Sequence, residues 1–114
     1  MAEAIYPSLH IRVVTQSVER QGFALVDTGF DGHLAVPEAL IRDLPQPSFV
    51  RRVQTASGQV VSVPAYIGAV ELTDHPGQIQ ALIIALGDEF LLGLSTLNHF
   101  KVTFDHGQTL IVEA

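Results

Sequence analysis

Ala24-Leu25-Val26-Asp27-Thr28-Gly29-Phe30-Asp31-Gly32 is the stretch on which the fold of this 114-residue chain turns. Phe23 to Val26 is a short continuous apolar run, the pattern of a strand buried on both faces. It leads without a spacer into Asp27-Thr28-Gly29, which is too polar and too glycine-rich to continue a strand. Taken alone, the triplet reads as a strand closed by an Asx-type turn, since Asp, Thr and Gly all favour turns. Average residue usage puts an Asp-Thr-Gly in roughly one to three per cent of chains this long by chance. The triplet therefore needs support from elsewhere in the sequence.

The surrounding sequence is strand-like throughout, with β-branched runs broken by turn residues. Leu9 to Val18 alternates, Leu9, Ile11 and Val13 against His10, Arg12 and Val14, and Glu19 to Gly22 is expected to form the turn after it. His33 to Val36 resumes extended structure. Pro37 to Leu44 reads as a short helix with Pro at its first position, ended by Pro45 and Pro47. Phe49 to Ala56 and Gln59 to Val63 are expected to form a hairpin around Ser57-Gly58, with an edge or a bulge where Pro64 interrupts the second arm. Thr73 to Gly77 is a turn cluster. Ile79 to Leu86 is a second buried-strand run, Leu94 to Phe100 one or two helical turns, and Lys101 to Asp105 with Thr109 to Glu113 a last hairpin. Many short strands with one or two short helices predict a small barrel or sandwich made of one domain, residues 1–114.

Downstream stands the second informative element, Phe90-Leu91-Leu92-Gly93-Leu94: large apolar residues and a glycine leading into a short helix. With both motifs in this order the chain resembles the retropepsin-like aspartic proteases, from about Leu9 to Val112. Members of that family run a strand into Asp-Thr-Gly, then a flap hairpin with a glycine near its tip, then an apolar-apolar-Gly segment before a helix. The Asp-Thr-Gly-Phe-Asp-Gly form is similar to a bacterial subgroup. The resemblance implies an all-β acid-protease barrel and an aspartic endopeptidase. Asp27 would be the catalytic carboxylate. Thr28 would hydrogen-bond across a subunit interface, and Gly29 would offer its carbonyl to the substrate main chain. Asp31 would contact the substrate backbone. Ala56, Ser57 and Gly58 would form the flap tip, and Leu91 and Leu92 would shape the substrate pockets, with Phe30 a further apolar candidate beside them.

This chemistry needs two carboxylates in one site, because like charges held close cannot both ionise easily and the pair retains one proton. The chain has one Asp-Thr-Gly, and Asp31 sits on the same tight loop. The second carboxylate is then expected from an identical chain across a two-fold axis, so the implied partner is a second copy of this protein. Three positions depart from the family pattern. Leu94 stands where relatives often carry Arg, Ser95 where they often carry Asp or Asn, and Gly58 is the lone glycine of the flap tip. These departures leave open an alternative reading, a weakly active or inactive module of the same fold used for binding or dimerisation.

Composition narrows the classes further. Twelve acidic against six basic residues give a net charge of −6, and the basic residues are scattered apart from Arg51-Arg52. That argues against a nucleic-acid grip, which calls for a basic patch. Without cysteine there is no disulfide, no thiolate metal site and no Cys nucleophile. The five histidines show no metal-ligand spacing, and no metal or cofactor is expected; His33, just past the Asp-Thr-Gly loop, has a cleft-facing place as its alternative but reads as an ordinary exposed residue. The first nine residues lack a signal-peptide pattern, and the longest apolar run, from Ala81, is too short to span a bilayer. A cytoplasmic protein acting on peptides, with no membrane partner, is expected.

Overall fold

The computed structural model describes residues 7–113 except Ser17, Asp43, Pro45, Ala56, Gly107 and Gln108. Nine strands are described: β1 (Ser8–Thr15), β2 (Val18–Val26), β3 (Leu34–Val36), β4 (Phe49–Gln54), β5 (Val60–Leu72), β6 (His75–Ala85), β7 (Phe90–Leu92), β8 (Lys101–Asp105) and β9 (Thr109–Glu113). A 3-10 turn spans Glu38–Ile41 and one α-helical turn, α1, spans Leu94–Leu97. Six strands close on themselves in the order β1-β2-β7-β3-β6-β5, with β5 pairing back to β1, and β4 extends the sheet beyond β5. Closure removes the free sheet edges that an open sheet would leave. The expected all-β barrel with a projecting hairpin and short helical turns is present.

Alternation sets the barrel wall. In β1, Ile11 and Val13 are buried, whereas His10, Arg12 and Val14 face outward. Arg12 lies between β2 and β5 and pairs with Glu19 and Glu71 at 3.3 and 3.0 Å. The main core joins Ile11, Val13, Leu34, Val70, Ile83, Leu92 and Leu97. A smaller cluster gathers Ala35, Val63, Ala65 and Ile84, with Phe30, Val53 and Leu91 packed against it. This second cluster lies beneath the β4–β5 hairpin and carries the cleft described below.

Several boundaries differ from the sequence expectation. The reversal between β1 and β2 comes at Gln16, with φ +54°, because Thr15 pairs directly with Val18. Glu19 to Gly22 therefore lies inside β2 rather than in a turn. Gly22 is there for packing: a Cβ on it would stand 2.8 Å from the Phe90 ring. Likewise β6 already begins at His75, so the turn cluster shrinks to Thr73-Asp74. Pro64 does not interrupt β5. It pairs in register with Val50, and β6 joins β5 only from Ala65 onward. At Pro64 the strand thus has one neighbour, the edge setting in which a missing N–H is tolerated. The register irregularity in β5 falls instead between Val70 and Leu72. The segment after Pro37 forms a single 3-10 turn rather than a longer helix.

The topology around β7 positions the site. β7 runs parallel to β2, with Ala24, Leu25 and Val26 opposite Phe90, Leu91 and Leu92. It runs antiparallel to β3, with Leu34 opposite Leu92. β2 and β7 therefore end side by side, and residues 27–33 cross over the end of β7 to reach β3. The β8–β9 hairpin forms a separate two-stranded sheet. Its Val102, Leu110 and Val112 pack on the main core, and Phe104 and Ile111 remain exposed. Among the described residues no helix is long and apolar enough to cross a membrane.

Candidate active site

Asp27 is the first residue beyond β2, and its N–H donates to the Leu92 carbonyl at 3.0 Å, prolonging the β2–β7 ladder by one step. Its carboxylate is held from the other side: Oδ1 accepts the Gly29 N–H at 2.9 Å. The Phe30 N–H closes the turn on the Asp27 carbonyl at 3.2 Å. A Cβ on Gly29 would approach Asp27 Oδ1 to 3.3 Å, tighter than an ordinary contact. Glycine there leaves the carboxylate room to take this position. Asp27 is half-buried, and Thr28 and Gly29 are exposed.

The loop is fixed to the start of α1 by hydrogen bonds at every residue from Phe30 to His33. The Leu94 N–H donates to the Phe30 carbonyl (2.8 Å), the Ser95 hydroxyl to that of Asp31 (2.6 Å) and the Ser95 N–H to that of Gly32 (3.1 Å). The Gly93 N–H and the Thr96 hydroxyl share the His33 carbonyl at 3.0 and 2.9 Å. Thr96 is fully buried, so its hydroxyl needs this partner. Thr96 is a brace that the sequence does not announce, and Ser95, which stands out in the sequence only as a departure from the family pattern, is a second. The signal was present only in the two polar residues between Leu94 and Leu97, where a purely apolar helical turn would have served packing alone.

Beside this loop opens a cleft of about 550 Å³, within the usual range for ligand sites. Gly29, Phe30, Asp31, Gly32 and His33 line one side, Arg51 to Gln54 of β4 the other, and Leu82, Ile84 and Ser95 the remainder. Phe30 is half-buried against the second cluster, and Asp31 is exposed on the rim. His33 takes the cleft-facing place rather than that of an ordinary exposed residue. It is half-buried on the cleft wall, and its Nδ1 accepts the Leu82 N–H at 3.3 Å. An accepting Nδ1 places the proton of the neutral ring on Nε2. Burial first, then the fields of His99 and Arg51, hold this imidazole below its ordinary pKa.

The other sequence candidates are placed as follows. Leu91 is partly buried beneath the cleft beside Phe30 in the second cluster. Leu92 is fully buried in the main core, so a direct substrate contact for it is corrected: with no exposed surface it acts from behind, through packing. Ser57 and Gly58 are exposed at the tip of the β4–β5 hairpin and do not line the cleft of the isolated chain. Gly58 has φ +87°, a conformation suited to glycine, and its N–H donates to the Thr55 carbonyl at 2.9 Å. Ala56 lies outside the described residues. Among the described residues no group of three or more His, Cys, Asp or Glu side chains is placed to hold a metal ion.

No protein-family model matches the chain. No curated protein matches it either. Among solved structures, the solution structure of simian foamy virus (mac) protease is similar to it, at 20% identity and a TM-score of 0.55 over 81% of this chain and 92% of that one. A likeness at that identity speaks for the fold alone. The chain has the small all-β fold of the retropepsin-like proteases, with its Asp-Thr-Gly loop crossing the end of β7.

Proposed function

We propose that this protein is a homodimeric aspartic endopeptidase of the retropepsin-like family, in its Asp-Thr-Gly-Phe form, with Asp27 as the catalytic residue. The observation that carries the reading is Asp27 itself. Its carboxylate is oriented by the Gly29 N–H, on a loop braced against α1 whose residues Gly29 to His33 line a cleft large enough for substrate side chains; Asp27 itself stands just outside that lining, two residues before Gly29.

One chain supplies one carboxylate, and the reaction needs two. In the dimer, Asp27 and the partner subunit's Asp27 share a proton and hold a water between them. The ionised carboxylate takes a proton from that water as its oxygen attacks the scissile carbonyl carbon. The protonated carboxyl hydrogen-bonds the carbonyl oxygen as negative charge develops there. Collapse of the tetrahedral intermediate breaks the C–N bond, and a carboxyl proton passes to the leaving amine. Thr28 and Gly29, exposed around Asp27, are available to the partner's matching loop and to the substrate main chain. Ser57 and Gly58 would close over the substrate as the flap tip. Phe30 and Leu91 favour apolar substrate side chains. The outer edges of β8 and β9 are unpaired among the described residues, and unpaired edges are natural surfaces for a second copy.

The test joins assembly to activity. Sedimentation at micromolar concentration should give a species of twice 12.3 kDa. Digestion of a broad peptide library should yield endoproteolytic cuts, fastest at acid to mildly acid pH and blocked by a transition-state-mimicking aspartic protease inhibitor. A strictly monomeric chain with full peptidase activity would refute the shared-proton mechanism. A dimer that cuts nothing at any pH would assign the fold to binding instead.

A further inference from the structure

Arg51 has an unusual setting for this chain. It lies in β4 directly opposite Val63 of β5. Residues opposite one another in an antiparallel pair share a face, and Val63 is buried in the second cluster. The next residue on that face, Val53, packs on the same cluster. Arg51 therefore shares the inner face of the hairpin with Val53 while its side chain stays exposed, and Arg52, opposite Ser62 on the other face, reaches the rim of the same cleft. The cleft lining includes Arg51 together with the apolar Phe30, Val53, Leu82 and Ile84.

The charge balance makes the placement informative. Acidic residues outnumber basic ones twelve to six. Arg12 is engaged by two carboxylates and Lys101 by one. Arg20, Arg42, Arg51 and Arg52 have no carboxylate within ion-pair distance among the described residues, and of these only Arg51 and Arg52 line the cleft, which Asp31 lines as well. Arg51 is exposed, so its field strengthens only when a bound substrate displaces water from the cleft, and its planar fork matches a carboxylate.

We infer that Arg51 is a specificity-determining residue that selects substrates carrying an aspartate or glutamate side chain near the scissile bond, seated on the inner face of the β4–β5 hairpin. This rests on the protease reading above and adds a substrate class to it: apolar residues at the cut, with an acidic residue flanking it. A charge-assisted hydrogen bond of this kind corresponds to about a ten- to hundredfold preference over the uncharged isostere.

The test uses matched peptides that differ only by Glu, Gln or Lys at each position flanking one cut. Wild-type protein should cleave the Glu peptide about tenfold better than the Gln peptide in kcat/KM at one position, and the preference should shrink in 0.5 M salt. Arg51→Glu should invert the order in favour of Lys, and Arg51→Gln should level it. Equal rates for Glu and Lys at every position would overturn the inference. So would an Arg51→Glu variant that loses both peptides alike, the mark of an arginine that pairs with Asp31 when the hairpin closes. A second readout separates this inference from the protease reading. Labelled Glu and Lys peptides are titrated by fluorescence anisotropy onto Asp27→Asn protein, with and without Arg51→Glu. Tighter, Arg51-dependent binding of the Glu peptide supports the acidic site even if the wild type cuts nothing, and equal binding overturns it even if the wild type is an active protease.

Discussion

A Cβ placed on Gly93 would stand 2.2 Å from the carbonyl oxygen of Gly32, closer than any real contact. Phe30 is the third party: its ring would lie 2.7 Å from the same atom, and 2.6 Å from a Cβ on Gly32. The loop after Asp27 and the start of α1 thus pack backbone to backbone, with an aromatic ring wedged alongside. Gly93 has φ −99°, which any residue adopts, so its requirement is for space. Gly93→Ala must push two hydrogen-bonded backbones apart. We expect it to cost about 3 kcal/mol, the upper part of the overpacking range, read as a lower urea midpoint with an unchanged slope. A midpoint within error of wild type would mean that the loop yields freely.

Asp27→Asn separates chemistry from architecture. The amide keeps an oxygen able to accept the Gly29 N–H, so the turn that holds the side chain survives. What is lost is the ability to exchange a proton with water. Cleavage should fall by about a hundredfold or more in kcat/KM, the scale of a lost general base, and the thermal midpoint should stay within a few degrees of wild type. Unchanged cleavage by this variant would remove Asp27 from the mechanism.

Much of this arrangement was legible in the residues. Val26-Asp27-Thr28-Gly29 announced a strand ending in a functional turn, and Leu92-Gly93 announced its neighbour. That the two strands run parallel and end together depends on pairing across more than sixty residues of sequence, which local pattern does not encode. The misplaced boundaries have the same origin. Gly22 and Pro64 carry the local signature of a break, yet contact with Phe90 and the one-sided pairing of β5 keep both in strands. The family resemblance implies a cleft role for Leu91 and Leu92 alike, because both belong to the apolar-apolar-Gly motif. The alternation of β7 instead sends Leu92 into the core and leaves Leu91 under the cleft. His33 reads as exposed for the converse reason: a polar residue beside a turn looks solvated until Leu82, far along the chain, donates to it.

Ser95 occupies a position where a larger polar residue would be at home in the family the chain resembles, and its hydroxyl donates to the Asp31 carbonyl at 2.6 Å. Ser95→Ala removes that bond, and the exposed setting lets water replace part of it. The stability loss should be about 1 kcal/mol or less. The larger effect should be on KM, because Asp31 and Ser95 both line the cleft. We expect KM for peptide substrate to rise several-fold with kcat little changed, and Ser95→Thr, which keeps the hydroxyl, to restore it. Equal loss of kcat and kcat/KM in Ser95→Ala would place its action on the Asp27 side of the loop.

His33 should couple the cleft to acid. Its folded-state pKa lies below the ordinary 6.5, chiefly through burial, so the unfolded chain binds the proton more readily than the folded one. The stabilisation held by the neutral ring is then complete above about pH 6.5 and is lost as pH falls through the lower, folded-state value. Protonation has a structural consequence too. Both ring nitrogens become donors, and Nδ1 faces the Leu82 N–H donor-to-donor. Asparagine at this position offers an acceptor oxygen near the place of Nδ1 and does not titrate. Urea midpoints measured from pH 8 to pH 4 should therefore fall more steeply below pH 6.5 for wild type than for His33→Asn. Parallel curves would show that the imidazole contributes nothing to the acid dependence of the fold, and a steeper fall in the variant would reverse the sign of the argument.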